Sequence, residues 1–177
     1  LSKLTPIACL DQKAYRSMEC NELKWWKTTD VVIAGYGAAG AAAAIAAHDA
    51  GARVLILEKM DAGGGNTVVS MGGFLCPSRV DDAIDYITRL YDFSHCEKDD
   101  AMIRAFAEEA AGNVAWVKSL KEGTEVHIYG HASFPQVPGA DAMEKYLVKG
   151  KQKGSTAFAR NLWEVLTHAV ERERRIP

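Results

Sequence analysis

Hydrophobic positions form two short runs on either side of a segment of small residues in the first half of the chain. Val31–Ala34 and residues 53–57 are rich in β-branched side chains, which is typical of strands buried on both faces. The alanine-rich run between them ends at Gly51, where a helix would place its terminating glycine. The pattern predicts a βαβ unit with two parallel strands and a right-handed crossover.

Helical spacing of apolar residues recurs further along the chain. It occupies residues 80–91, and Asp99 is a candidate N-cap for a longer helix that ends near Gly123. Residues 125–154 are predicted to be loop-rich, whereas residues 156–174 are amphipathic. We therefore expect four segments: an N-terminal arm at 1–29, the βαβ unit with a glycine-rich loop at 30–79, a helical and loop segment at 80–154, and a helix returning to the first unit at 155–177.

The composition is that of a globular chain, since 48% of the 177 residues are hydrophobic and 25% are charged. A formal net charge of −2 creates no strong positive field, so no nucleic-acid partner is expected. The longest apolar stretch, residues 38–47, is well short of the roughly 20 residues that a bilayer-spanning helix needs. We expect a soluble protein with no membrane span.

Cysteine and histidine spacing gives little support for a metal site. The four cysteines form no Cys-x-x-Cys pair, so reduced thiols in a cytoplasmic protein are expected. They are Cys9, Cys20, Cys76 and Cys96. His127 and His131 have the spacing of two ligands on a helix, but nearby glycines predict a loop there.

Three glycines mark the junction between the first strand and the helix. Gly35 permits a sharp turn, Gly37 lets the backbone approach a pyrophosphate, and Gly40 lets the helix pack closely on the strand. The helix N-terminus offers unpaired N–H groups and partial positive charge to a diphosphate. Glu58, at the end of the second strand, can accept hydrogen bonds from ribose hydroxyls and would repel a 2′-phosphate. The pattern predicts a site for NAD or FAD.

A second glycine-rich segment, residues 63–74, follows the acidic residue. Runs of glycine at 63–65 and 72–73 let backbone turn tightly or lie close to a flat group. An NAD-binding unit has no need of such a segment, whereas a flavin ring needs backbone laid along it. This segment favours FAD.

These motifs together resemble the FAD-binding half of the fumarate reductase and succinate dehydrogenase flavoprotein superfamily. The resemblance lies in residues 30–40, 58–59, 64–67 and 70–74. It is strongest to the soluble branch, which contains 3-ketosteroid dehydrogenases and fumarate, urocanate and related enoate reductases. The implied fold is α/β, a Rossmann-like FAD-binding βαβ core with appended helices, incomplete without further chain or a partner.

The resemblance also implies a set of cofactor-binding residues. The diphosphate would contact Gly35, Gly37, Ala39 and Gly40, and the adenosine would contact Glu58 and Lys59. Gly64 and Gly65 would lie at the cofactor, with Asn66 and Thr67 on phosphate or ribityl. The isoalloxazine would lie beside Ser70, Met71, Gly72 and Gly73. Members that tether FAD covalently carry histidine where this chain has Asn66. We therefore expect noncovalent FAD.

The implied function is an FAD-dependent oxidoreductase that transfers hydride between flavin N5 and an activated C–C bond of a small-molecule substrate. No motif places a catalytic residue, so the catalytic groups are expected outside this chain, in the remainder of the flavoprotein as a continuation or a second chain. Two alternatives stay open. One is an NAD-binding dehydrogenase, and the other is a non-catalytic flavin-binding subunit of a larger complex.

Overall fold

A computed structural model describes residues 26–151 and 157–177. The strands of this part are β1 Val31–Ala34, β2 Val54–Leu57, β3 Phe74–Pro77, β4 Val126–Gly130 and β5 Met143–Val148. The α-helices are α1 Ala38–Asp49, α2 Val80–Ser94, α3 Asp100–Ala110, α4 Asn113–Ser119 and α5 Ala157–Thr167. Short 3₁₀ helices span Gly65–Val69 and Ala140–Ala142, and a π-helix spans His168–Glu173. Most of the predicted N-terminal arm, with Cys9 and Cys20, and the predicted entry to the last helix lie outside the described residues.

The predicted βαβ unit is confirmed. β1 and β2 pair in parallel, with Val31 opposite Val54 and Ala34 opposite Leu57, and α1 connects them. On the buried side of α1, two alanines and Ile45 are fully covered. Because alanine side chains are small, the helix packs close to the sheet, as the alanine-rich pattern predicts.

Burial of both strand faces was predicted, and within the described residues it holds at Val54 and Leu55 but not along β1 or at the end of β2. Side chains of β1 alternate between partly buried and exposed, and Val32 is 56% exposed. Leu57, at the end of β2, is 49% exposed. Since successive side chains of a strand point to opposite faces, α1 covers one face, and the other face is covered at Leu55 but open at Val32 and Leu57.

The prediction that residues 125–154 are loop-rich holds for residues 131–139 but misses two strands. β4 and β5 lie in this segment and form an antiparallel sheet with β3, in the order β3-β5-β4. Polar residues interrupt the apolar alternation of these strands, and the pairing of β4 shifts register between Ile128 and Gly130. An irregular pattern of this kind hides strands from sequence analysis.

The helix predicted from Asp99 to Gly123 is two helices, α3 and α4. Asp99 is the N-cap, as predicted, and its side chain accepts hydrogen bonds from the N–H groups of Ala101 and Met102. The break comes at residues 111–112. There the Cys76 thiol donates to the Ala111 carbonyl at 3.2 Å, and Asn113 donates to the Leu75 carbonyl at 2.8 Å. Contacts with β3 therefore set the break.

The C-terminal segment fastens onto the βαβ unit. Arg174 forms two hydrogen bonds to the Asp49 carboxylate at the end of α1, at 2.7 and 2.6 Å. The N–H of Ile56 in β2 donates to the Pro177 carbonyl at 2.9 Å. Buried residues of α1, β2, β5 and α5 share one core with this segment. In residues 26–151 and 157–177, no helix combines the length and apolar character that crossing a bilayer requires.

Candidate functional site

The turn from β1 into α1 is built around Gly35 and Gly40. Gly35 has φ of 103°, a conformation that favours glycine, and its N–H continues the strand pairing by donating to the Leu57 carbonyl at 2.7 Å. A Cβ at Gly40 would overlap the Gly35 carbonyl oxygen, so a side chain has no room there. The first and third glycines of the motif therefore have the structural roles predicted for them.

Glu58 connects the end of β2 to this turn. One carboxylate oxygen accepts the Tyr36 N–H at 2.7 Å, and the other accepts the Met60 N–H at 2.9 Å. These backbone hydrogen bonds hold the pKa of Glu58 below its usual range, with that of Tyr36 the larger cause. Each carboxylate oxygen has a second lone pair, so the anion can also accept from hydroxyl groups of a ligand.

Thr67 supplies a cap to α1 from the 3₁₀ helix. Its hydroxyl oxygen accepts the Ala38 N–H at 2.9 Å, whereas the N-cap residue, Gly37, has no side chain to do so. The first backbone hydrogen bond of the helix runs from the Ala41 N–H to the Gly37 carbonyl. The N–H groups of Ala39 and Gly40 precede that bond and remain available as donors.

A cleft of about 650 Å³ opens at the carboxyl ends of β1 and β2. It is lined by Ala34, Gly35, Tyr36, Gly37, Leu57, Glu58, Lys59, Met60 and Gly65. In open α/β sheets, ligands bind at this edge. The structure thus brings together five of the predicted site residues, Gly35, Gly37, Glu58, Lys59 and Gly65, around one cleft.

The segment from Ser70 to Gly73 does not line this cleft. The Ser70 hydroxyl donates to the Thr67 carbonyl and accepts the Gly72 N–H, at 2.9 and 3.0 Å. A Cβ at Gly72 would lie 2.5 Å from backbone atoms of Ala159, so the segment packs tightly against α5. Met71 and Asn66 are exposed.

A larger cleft, of about 1070 Å³, lies at the end of α2 and contains none of the predicted residues. It is lined mainly by residues 89–96 and 136–138, and Phe93 on its wall is 86% exposed. The smaller cleft is the candidate site because the chemistry of its lining fits a dinucleotide. Within the described residues, no group of three or more His, Cys, Asp or Glu side chains could hold a metal ion.

The donors and acceptors around the smaller cleft fit FAD. Bare backbone at Gly35 and Gly37 allows close approach, two helix N–H groups can bind a diphosphate, and the Glu58 anion suits ribose hydroxyls. The Thr67 cap and the contacts of the Tyr36 side chain were not predicted from the sequence. The sequence signal for the cap is a threonine two residues after a glycine pair. The contacts of Tyr36 have no such signal, because its partners are distant in sequence.

Known proteins with similar sequences or structures are much longer than this chain. It is 38% identical over 99 residues to an NADH:fumarate oxidoreductase of Klebsiella pneumoniae, a match that covers 51% of this chain and 11% of that protein. It is 48% identical over 52 residues to a 3-oxo-5-alpha-steroid 4-dehydrogenase of Comamonas testosteroni, covering 29% of this chain and 10% of that protein.

The fold is similar to that of a solved structure, the open conformation of a flavocytochrome c3 fumarate reductase, with a TM-score of 0.69 at 22% identity. That match covers 99% of this chain and 30% of the other. The glycine turn, Glu58 and the second glycine-rich segment all fall within residues 30–173, which match the model of the FAD binding domain family. The chain belongs to this FAD binding domain family.

Proposed function

We propose that this chain is the FAD-binding portion of a flavin-dependent oxidoreductase acting on CH–CH bonds. The observation that carries the proposal is the cleft in which the glycine turn, Glu58, Lys59 and Gly65 converge. Gly35, Gly37, Ala39 and Gly40 would bind the diphosphate, and Glu58 and Lys59 the adenosine. Gly64, Gly65, Asn66 and Thr67 would complete the cofactor site.

The flavin ring would lie beyond this cleft, along residues 70–73. When bound, FAD would supply hydride exchange at N5 with a carbon of an activated C–C bond. The substrate is a small molecule with such a bond, an enoate or a 3-ketosteroid. The names of the two relatives, a fumarate oxidoreductase and a steroid dehydrogenase, support this class. Substrate-binding and proton-transferring groups would come from the remainder of the flavoprotein, as a continuation or a second chain.

Asn66 supports a noncovalent cofactor, because the amide has no nucleophilic ring nitrogen through which a flavin could be attached. We also propose a cytoplasmic location, to which the free thiols of Cys76 and Cys96 are suited. Denaturing intact-mass analysis of the purified flavoprotein tests the attachment. We expect the mass of the polypeptide alone, and a mass increased by one FAD would contradict the proposal.

The function is tested with the full-length protein that contains this chain. We expect flavin absorbance near roughly 450 nm, and reoxidation of the chemically reduced flavin, without oxygen, by fumarate, urocanate or a Δ1- or Δ4-unsaturated 3-ketosteroid. Absence of flavin together with NADH binding would instead establish an NAD-binding dehydrogenase. Bound flavin with no turnover of either substrate class would establish a non-catalytic flavin-binding subunit.

A further inference from the structure

Tyr36, the residue between the first two glycines, contacts several separate parts of the site. Its N–H donates to Glu58 at 2.7 Å, and its carbonyl accepts the Gly64 N–H at 2.6 Å. A Cβ at Gly63 would overlap the Tyr36 ring, so that ring is covered directly by the second glycine-rich segment. The backbone of Tyr36 thus joins β2 to the glycine-rich segment.

The Tyr36 side chain extends in a different direction, to the C-terminal helices. Its ring meets the Trp163 ring edge-on with centroids 4.9 Å apart, and its hydroxyl donates to Glu171 at 3.1 Å. Burial raises the pKa of Tyr36, and the Glu171 carboxylate raises it further. The phenol therefore stays protonated and remains a donor at physiological pH.

These contacts fix the peptide planes on both sides of Tyr36. In a trans peptide the N–H and C=O point in opposite directions, so the Tyr36 N–H on Glu58 directs the Gly35 carbonyl away from Glu58 and toward Gly40. For the same reason, the Tyr36 carbonyl on Gly64 directs the Gly37 N–H away from the glycine-rich segment. The orientation of Tyr36 therefore determines where this backbone donor points.

The π-helix His168–Glu173 and the residue that follows it contact both ends of α1. Glu171 accepts a hydrogen bond from the hydroxyl of Tyr36, which lies just before the start of α1. Arg174, directly after the π-helix, pairs with Asp49 at the end of α1. A π-helix changes the register of side chains relative to an α-helix, and such segments are frequent at functional sites. Here the register places Glu171 on Tyr36.

We propose that Tyr36 is a positioning residue for the diphosphate-binding turn and that Glu171 of the π-helix is its anchor. The inference rests on the proposed binding of FAD and assigns roles to Tyr36, which lies between two motif glycines, and to Glu171, which is distant from the motif in sequence. The pair holds the turn in its binding geometry before the cofactor arrives. Loss of the hydroxyl contact removes one of the interactions that hold the ring, and ordering the turn then costs part of the binding free energy.

The test measures the dissociation constant of FAD with apoprotein of the full-length chain, by titration of flavin fluorescence. Tyr36→Phe removes the hydroxyl and keeps the ring, and Glu171→Ala removes the acceptor. We expect each substitution to weaken FAD binding about three- to tenfold. The double variant should bind as each single variant does, because either change alone breaks the same contact.

Two further variants separate positioning from a general effect on stability. Glu171→Gln keeps an acceptor oxygen, and its FAD affinity should stay close to that of the unmodified protein. Tyr146→Phe removes a comparable tyrosine hydrogen bond, to Glu144 at 2.6 Å, and should leave FAD affinity unchanged. Melting of each apoprotein verifies that it is folded at the titration temperature.

The inference is overturned if Tyr36→Phe binds FAD as tightly as the unmodified protein, if the effects of Tyr36→Phe and Glu171→Ala add, or if Tyr146→Phe has an equal effect. Failure of the unmodified apoprotein to bind FAD has a different meaning, since it overturns the proposed function itself.

Discussion

At the scale of single residues, the geometry of the site depends on backbone and carboxylate groups that lie in close contact. The Gly35 carbonyl faces Gly40, and the Glu58 carboxylate binds N–H groups on two sides. The glycine spacing and the strand-end acid were predictable because both follow from local geometry. The Tyr36–Glu171 contact was not, since 135 positions separate the two residues.

Gly40→Ala tests the contact between the helix and the turn. We expect the free energy of unfolding to fall by about 1–3 kcal/mol, since the new methyl group overlaps the Gly35 carbonyl oxygen. Gly130→Ala is the matched control, because a Cβ there meets nothing within 4 Å. Urea unfolding of both variants gives the comparison. Equal stability of the two variants would show that the turn accommodates the methyl group with no loss of unfolding free energy.

Glu58→Gln tests the role of the carboxylate through pH. The pKa of Glu58 is lowered in the folded chain, so the unfolded chain takes up this proton first as pH falls. The stability that the carboxylate contributes is therefore present above roughly pH 4.3 and is lost as pH falls through the lower, folded pKa. We expect Glu58→Gln to be less stable at pH 7 and to lose less stability on acidification.

Urea unfolding at several pH values between 7 and 3 measures this difference. Glu108→Gln is the control, since Glu108 is an exposed carboxylate whose partner, Arg104, is 3.7 Å away. If both variants follow the same pH dependence, the hydrogen bonds of Glu58 do not stabilise the fold.

At the scale of elements, the helices and strands with a regular apolar pattern were predictable from the sequence. Features that depend on contacts between elements were not. β1, α1 and β2 were predicted because their apolar runs are uninterrupted. β4 and β5 escaped prediction because charged and polar residues stand among their apolar ones. The break between α3 and α4 depends on hydrogen bonds from Cys76 and Asn113, which only the packed structure provides.

Thr67→Val tests the cap that the 3₁₀ helix supplies to α1. Valine is close to threonine in shape but cannot accept the Ala38 N–H, so we expect stability to fall by about 1 kcal/mol. Thr67→Ser keeps the acceptor and should retain most of that stability. Thermal unfolding and hydrogen exchange at Ala38 are the measurements. Slow exchange at Ala38 in the valine variant would exclude the capping role.

At the scale of the whole molecule, one face of the parallel sheet is partly open in the described part of the chain. Val32 and Leu57 are about half exposed on this face, whereas Leu55, which pairs with Val32, is buried. The sequence predicted buried strands because a continuous apolar run is typical of a sheet covered on both faces. We propose that the remainder of the flavoprotein covers this face, so the strand sequence reflects the larger assembly.

Val32→Lys distinguishes a covered face from an exposed one. In the full-length flavoprotein we expect the charge to lower the free energy of unfolding by several kcal/mol, because lysine is buried without a partner. Ala43→Lys, on the exposed side of α1, is the control and should change stability by less than about 0.5 kcal/mol. Similar melting temperatures for the two variants would place Val32 in water.

The hydrogen bond from Ile56 to Pro177 has a consequence for self-association. A strand at the border of a sheet presents unpaired N–H and C=O groups, on which a strand from another molecule can add. Pro177 occupies one such donor on the side of β2 away from β1. Because proline has no N–H, Pro177 cannot itself donate a backbone hydrogen bond to a further strand. The Pro177 carbonyl thus takes the position at Ile56 that a carbonyl of an added strand would need.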